Sequence, residues 1–247
     1  MRIFLHEVRN QQRLFWRSRE SAFFTFLLPI LLLVLLGSVY GDDEIDGIPG
    51  ADYLVAGLIG YGVVAVAFAG LAINVVIRRE SGVLKRVRGT PLPPAVYLIA
   101  VIVSELIVIG IQVVCQVLIG HYLLDASFPE SPGGLVLALV LGAASFAALG
   151  LAVTGLVRSS EGSSAVVNAI YLPMTFICGV FFSATAFPSF LEKIADVLPL
   201  TYLLELVRDL FVDGGGWSTT AVIVLAAWGL VGLVVALRTF RWEPRAS

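Results

Sequence analysis

Apolar and polar positions alternate in long blocks along this chain. Apolar runs at 21–40, 53–77, 95–124, 134–157, 164–184 and 217–237 are separated by mostly short polar stretches. A helix needs about 20 apolar residues to cross roughly 30 Å of hydrocarbon, and each run is long enough. The pattern predicts an all-α polytopic membrane protein with six transmembrane helices. The connections are too short to hold a soluble domain, so residues 1–247 read as a single transmembrane domain.

Two polar segments carry a helical period of their own. In 1–20 the cations recur as Arg2, His6, Arg9, Arg13 and Arg17, in steps of three and four that place them on one stripe. Phe4, Leu5, Val8, Phe15 and Trp16 fall on the other face. This predicts an amphipathic helix lying in the membrane interface among lipid headgroups or against a protein. In 78–92, Val83, Leu84 and Val87 share one side of a short helix, with Lys85, Arg86 and Arg88 around the rest, and Gly89 and Pro91 end it. An apolar patch exposed beneath a membrane calls for a partner; on charge alone, the segment reads as a plain basic loop.

Charge fixes the expected orientation. Segments 1–20, 78–92, 158–163 and 238–247 hold 14 of the 16 basic residues, whereas 41–52, 125–133 and 185–216 hold 12 of the 18 acidic ones. Lys and Arg stay on the cytoplasmic side during insertion, so both termini are expected there, in a bacterial-type plasma membrane. The formal net charge of −2 conceals this asymmetry. Composition agrees: mean hydropathy is +0.94, with 58% hydrophobic and 14% charged residues, against about 25% charged in soluble domains. The first apolar run lacks a small-residue cleavage site, so no cleavable signal peptide is expected. Cys115 and Cys178 fall inside the runs and read as small apolar packing residues.

The order Arg-Glu-x-Gly-x-Leu-Lys-Arg-x-Arg-x-Thr-Pro-Leu after the second run resembles the permease subunits of the ABC transporter type 2 family, exporters of drugs, polysaccharides and lipids. So does Leu198-Pro199-Leu200-Thr201-Tyr202, followed by Glu205, Val207 and Arg208-Asp209, before the last run. Size, span number and the N-terminal helix are similar too, so the resemblance covers essentially the whole chain. It implies that 78–92 is a coupling loop docking on a cytoplasmic ATPase through Glu80, Gly82, Leu84, Lys85, Arg86 and Arg88. The N-terminal helix around Phe4, Val8, Arg9, Arg13, Phe15 and Arg17 would form a second contact. Segment 185–216 would be a re-entrant helical hairpin capping the path from outside. These features are shared by the drug and polysaccharide branches and leave the cargo open.

The chain is not expected to hydrolyse ATP. A phosphate-cradling loop ends in Gly-Lys-Ser/Thr, and neither Lys85 nor Lys193 follows a glycine. No cofactor is expected on this chain; ATP and magnesium would sit on a partner ATPase subunit. No His, Cys or carboxylate cluster has metal spacing, and nucleic acid is not an expected partner. Glu105 is the one carboxylate well inside a run, about ten residues in and so roughly 15 Å deep. A charge there costs about 2.5–3.5 kcal/mol and must face protein or water. It reads either as a wall residue of a substrate path or as interhelical glue with Asn74, Asn168, Gln112 or Gln116. Gln112 and Gln116 share its helical face, which is expected to point into the bundle. Pro29 and Pro173 predict bends within two runs. Between Pro188 and the glycines 214–216, two short helical sets are expected, with Arg208 paired to Glu205 and Asp209 of its own helix.

Taken together, these readings predict a membrane permease subunit of an ATP-driven exporter for a hydrophobic or amphipathic compound. Membrane lipids, a separate ATPase and a second copy or similar permease would be its partners. A secondary transporter would show internal repeats and midplane charges, and a membrane scaffold would not need the coupling-type loop.

Overall fold

The computed structural model describes residues 2–90, 92–157, 159–183, 185, 187–212 and 216–240. At its centre stands one continuous helical rod, Gly50–Glu80, in three parts: α3 (Gly50–Val63), a π-helical segment (Val64–Gly70) and α4 (Leu71–Glu80). Every residue from 50 to 64 is buried. Around the rod pack α2 (Arg19–Tyr40), α6 (Pro94–Leu124), α7 (Pro132–Thr154) and α8 (Ser160–Ile177). The last helix, α11 (Thr219–Thr239), lies along α7.

Among the described residues, five helices are long and apolar enough to cross a membrane: α2, the rod, α6, α7 and α11. The expected fifth crossing, 164–184, is not one of them. Its helix, α8, has 18 residues, opens on Ser160, Glu161, Ser163 and Ser164, and gives way to a turn at Gly179 (φ 79°). Its ends nevertheless stand at the two ends of the rod. Glu80 accepts hydrogen bonds from the Ser160 backbone and hydroxyl, while the Tyr53 hydroxyl donates to the Gly179 carbonyl at 2.9 Å.

Local sequence sets the ends of these helices. Ser131, Ser159 and Ser218 each accept a backbone N–H from the first turn of α7, α8 and α11, satisfying one of the donors a helix start leaves bare. Pro94 and Pro132 occupy first-turn positions, where a missing N–H costs nothing. Inside the bundle, small residues set the spacing. A Cβ on Gly232 of α11 would stand 2.8 Å from the Leu149 nitrogen, and one on Gly150 of α7 would stand 2.9 Å from the Phe68 carbonyl oxygen. Close backbone approach of this kind holds helices together where lipid offers no hydrophobic drive.

On the acidic side a minimal antiparallel hairpin pairs β1 (Glu44–Ile45) with β2 (Ile48–Pro49), turned by Asp46 and Gly47 at positive φ. It is a small departure from the all-α expectation. The same side carries α9 (Ser189–Ala195), α10 (Pro199–Arg208) and a 3₁₀ turn, Asp209–Phe211. Thr201 and Tyr202 of α10 bond back to the carbonyls of Ala195 and Asp196, both at 2.6 Å, folding the two helices together. Trp228, nine residues into α11 and so roughly 14 Å along it, donates its indole N–H to the Val197 carbonyl at 3.0 Å.

Candidate coupling face and internal polar groups

The rod ends on the basic side in Arg78, Arg79 and Glu80, and the three do different work. Arg79 is buried and donates to the carbonyls of Thr154 (2.9 Å) and Val157 (2.7 Å), so its guanidinium clamps the chain leaving α7. Glu80 is bound by Ser160 at the start of α8. Arg78 turns the other way, donating to Gln11 Oε1 (2.7 Å) and to the Tyr97 hydroxyl (2.9 Å). The end of one helix thereby fixes α7, α8, α6 and the N-terminal helix.

Gly82 (φ 71°), in the left-handed region that favours glycine, turns the chain out of α4 into the six-residue α5 (Val83–Arg88). Leu84 is fully buried in the core, Val83 and Val87 are half-buried, and Lys85, Arg86 and Arg88 are exposed. The expected apolar patch is therefore packed against the body, because Gly82 redirects the helix so that its apolar side faces inward. The surface on offer is cationic. Pro91, at the end of this loop, lies outside the described residues.

The N-terminal helix α1 (Arg2–Arg17) packs on α6 and α2. Val8 is buried and Phe4 and Phe15 are half-buried; Arg9, Arg13 and Arg17 lie exposed on the opposite side. Leu5 and Trp16, placed by periodicity on the apolar face, are exposed to its flank, where Trp16 stacks on Phe26 at 5.5 Å. Two polar residues on the packed face, Gln11 and Gln12, lock the helix in place. Besides Gln11's bond to Arg78, Gln12 Nε2 reaches the Ser104 carbonyl (2.6 Å) and hydroxyl (2.9 Å).

That contact brings α1 alongside the residue before Glu105. The Arg-striped helix sits at the level of Ser104, ten residues into α6, and α6 with 31 residues is roughly 46 Å long, well beyond a 30 Å core. Glu105, the next residue along α6, lies within electrostatic reach of Arg78. Its Oε2 is buried without a hydrogen-bond partner among the described residues.

Gln112 and Gln116 lie deeper, buried to 1% and 0% exposure as their shared face requires. Gln112 fits because Gly62 of α3 opposes it: a Cβ there would come within 2.2 Å of Nε2. Neither amide has a hydrogen-bond partner among the described residues. The glue reading also fails to bring in Asn74 and Asn168. Asn74 is exposed on α4, and Asn168 is half-buried on α8.

On the acidic side Arg208 departs from expectation. Its guanidinium lies 3.7 Å above the Tyr53 ring and donates to the Gly179 carbonyl, the same oxygen that Tyr53 binds. A cation over an aromatic face, sheltered from water, outweighs an exposed ion pair on its own helix. Asp209 accordingly lacks that relief: burial, and then the Glu205 carboxylate, hold its carboxyl above the usual range.

Arg158, Arg241 and Arg245, counted on the basic side, and the glycines at 214 and 215 lie outside the described residues. Among the described residues, no group of three His, Cys, Asp or Glu side chains is placed to hold a metal.

A model of the ABC-2 type transporter family matches residues 4–212. The chain is also 22% identical over 223 residues, 89% of each chain, to the Bacillus subtilis (strain 168) protein named "Putative transport permease YvfS".

Proposed function

The chain belongs to the ABC-2 type transporter family, and from that premise we propose that it is the membrane permease subunit of an ATP-driven exporter, working with a separate ATPase and a second permease copy or similar chain. The carrying observation is the α4–α5 step. A rigid rod through the bundle ends in a short helix whose apolar residue Leu84 is anchored inside and whose cations Lys85, Arg86 and Arg88 face out. Force applied at α5 passes directly to α4, and through Arg79 and Glu80 to α7 and α8. The exposed Arg9, Arg13 and Arg17 of α1 supply a second cationic contact on the same side. The concentration of Lys and Arg there makes it the cytoplasmic side, with both termini inside.

The ends of α8, at Glu80 and at Tyr53, support its being the sixth crossing. The bond from Trp228 to Val197 supports α9 and α10 as a hairpin that dips back between the helices. Along α4 and α8 the outward surface carries polar groups at Asn74 and Asn168, while the outward faces of α2, α6 and α11 are apolar. A path along α4 and α8, closed by the second permease, follows. With so few charges beside it, the cargo is a hydrophobic or amphipathic compound, exported from the cytoplasm or inner leaflet.

Co-expression with an ATPase carrying a phosphate-cradling loop tests this. A complex of two permease chains and two ATPase chains is expected, and vesicles containing it accumulate a lipophilic dye only with ATP. A chain that purifies as a monomer and moves the dye down an ion gradient without any ATPase would make it a secondary transporter; one that moves nothing with an ATPase bound would make it a scaffold.

A further inference from the structure

Behind α8, on the side away from Asn168, a chamber of about 380 Å³ opens between α7, α8 and α11. Asn168 and the chamber-lining Ile170 are two residues apart, which places them about 160° apart around a helix of 3.6 residues per turn. The floor is Phe68 of the π segment with Phe146 and Met174, all buried; the rim, Ile170, Val231 and Val235, is exposed. The roof is the α9–α10 junction at Leu198 and Pro199, held by the Trp228 bond to Val197. The chamber therefore opens sideways, toward where the lipid lies around α11, and is separate from the path along α4 and α8.

We propose that this chamber is a binding site for one acyl chain of an anionic phospholipid from the leaflet on the basic side. Three observations commit it to that occupant. The lining is apolar, and the polar atoms of its two polar side chains, Trp228 and Thr239, are already bonded to the Val197 and Val235 carbonyls. Its extent along α11, from Trp228 to the last turn, is ten or eleven residues, or about 15 Å. That is half of the roughly 30 Å core, the reach of one leaflet's chain. Arg238, beside Thr239 at the chamber's inner end and on the same face of α11 as Val231, is exposed, a cation placed to meet a headgroup there. A chain seated here packs on Phe68 and fills the gap between α8 and α11. The inference concerns the membrane-facing side of the chain and does not depend on the exporter reading.

The chamber carries its own reporter, Trp228. The full chain with Trp16, Trp217 and Trp242 replaced by Phe would be reconstituted in phosphatidylcholine vesicles containing phosphatidylglycerol brominated near the chain ends. Trp228 quenching is expected to saturate at a low fraction of the brominated anionic lipid. Arg238→Gln should weaken that apparent affinity about fivefold, equivalent to about 1 kcal/mol for one cation near a lipid surface. Ala152→Phe, which fills the chamber, should abolish the saturable phase. Quenching that rises in proportion to bromolipid fraction, equally for choline and glycerol headgroups, would show ordinary lipid contact and overturn the proposal. Saturable quenching relieved by a transported dye would make the chamber a cargo site and overturn it as well. Should the single-tryptophan chain not fold, native mass spectrometry of the unaltered protein decides: one anionic phospholipid retained per chain, and lost in Ala152→Phe, is expected, and no retained lipid refutes the site.

Discussion

Replacing Arg79 is the sharpest test of how the basic end of the bundle is held. The guanidinium is buried and bridges two carbonyls, those of Thr154 at 2.9 Å and Val157 at 2.7 Å, where α7 ends. A hydrogen bond to a charged group contributes about 1.5–3 kcal/mol, and a buried carbonyl left bare loses its desolvation cost with no return. Arg79→Met keeps most of the volume but removes both bonds, so a loss of about 3–5 kcal/mol is expected. Arg79→Lys offers one compact charge where the fork spans two oxygens, and should recover about half of that. The measurement is the unfolding midpoint in mixed detergent micelles, with membrane insertion checked separately, since the remaining cations of the segment still orient the chain. A correctly inserted Arg79→Met protein within about 1 kcal/mol of the parent would show that the clamp is incidental. A lysine variant as poor as methionine would show that the fork geometry, and not the charge, carries the whole effect.

Further expectations follow from single contacts. Lys85→Glu with Arg86→Glu and Arg88→Glu should leave folding unchanged, as all three are exposed, yet lower ATPase co-purification at least tenfold; unchanged capture removes α5 from the interface. Leu84→Ala should instead cost about 2–5 kcal/mol of stability, as a fully buried leucine does, which a thermal melt would read. Gly150→Val should push α7 off the π segment, since a Cβ meets the Phe68 oxygen at 2.9 Å, and close to normal stability in that variant would mean that α7 shifts freely. For Asp209 the sign runs with pH. Its folded carboxyl is raised above the unfolded value, so ionisation destabilises the fold as pH climbs through the usual carboxylate range and beyond. Asp209→Asn should therefore melt higher than the parent at neutral pH and equal to it in acid; the same gap at both would place the effect elsewhere.

The long apolar runs made the membrane helices legible, because burial in lipid leaves no other reading for 20 such residues. The rod at 50–80 was legible as a span but not as the buried centre of the bundle, since hydropathy does not separate a lipid-facing helix from one enclosed by others. Segment 164–184 was legible as an apolar run but not in the bounds of its helix. Its apolar content was counted as one run, while the early serines, Pro173 and the turn at Gly179 shorten the helix to Ser160–Ile177. The Arg stripe of α1 was readable from period alone. The glutamines that dock it were not, because Gln11 and Gln12 look like solvated polar positions until Arg78 and Ser104 arrive from distant sequence. Arg208 was assigned to partners on its own helix, the only ones a linear reading can see, whereas Tyr53 and Gly179 come from 155 and 29 positions away.

The two ends of the rod are tied to different parts of the bundle, and the π segment lies between them. At the acidic end Tyr53 shares the Gly179 carbonyl with Arg208, and Leu204 of α10 packs over Gly60. At the basic end Arg79 and Glu80 bind the end of α7 and the start of α8, and α5 hangs from the last turn. A displacement of α5 relative to α10 must therefore be absorbed within the rod itself. The π segment interrupts the regular α-helical ladder of the rod, a feature that recurs at functional sites. Gly150 lets α7 press directly on that turn, and Phe68 projects from it into the lateral chamber. Movement of α5 and filling of the chamber would thus meet at the same seven residues, Val64–Gly70.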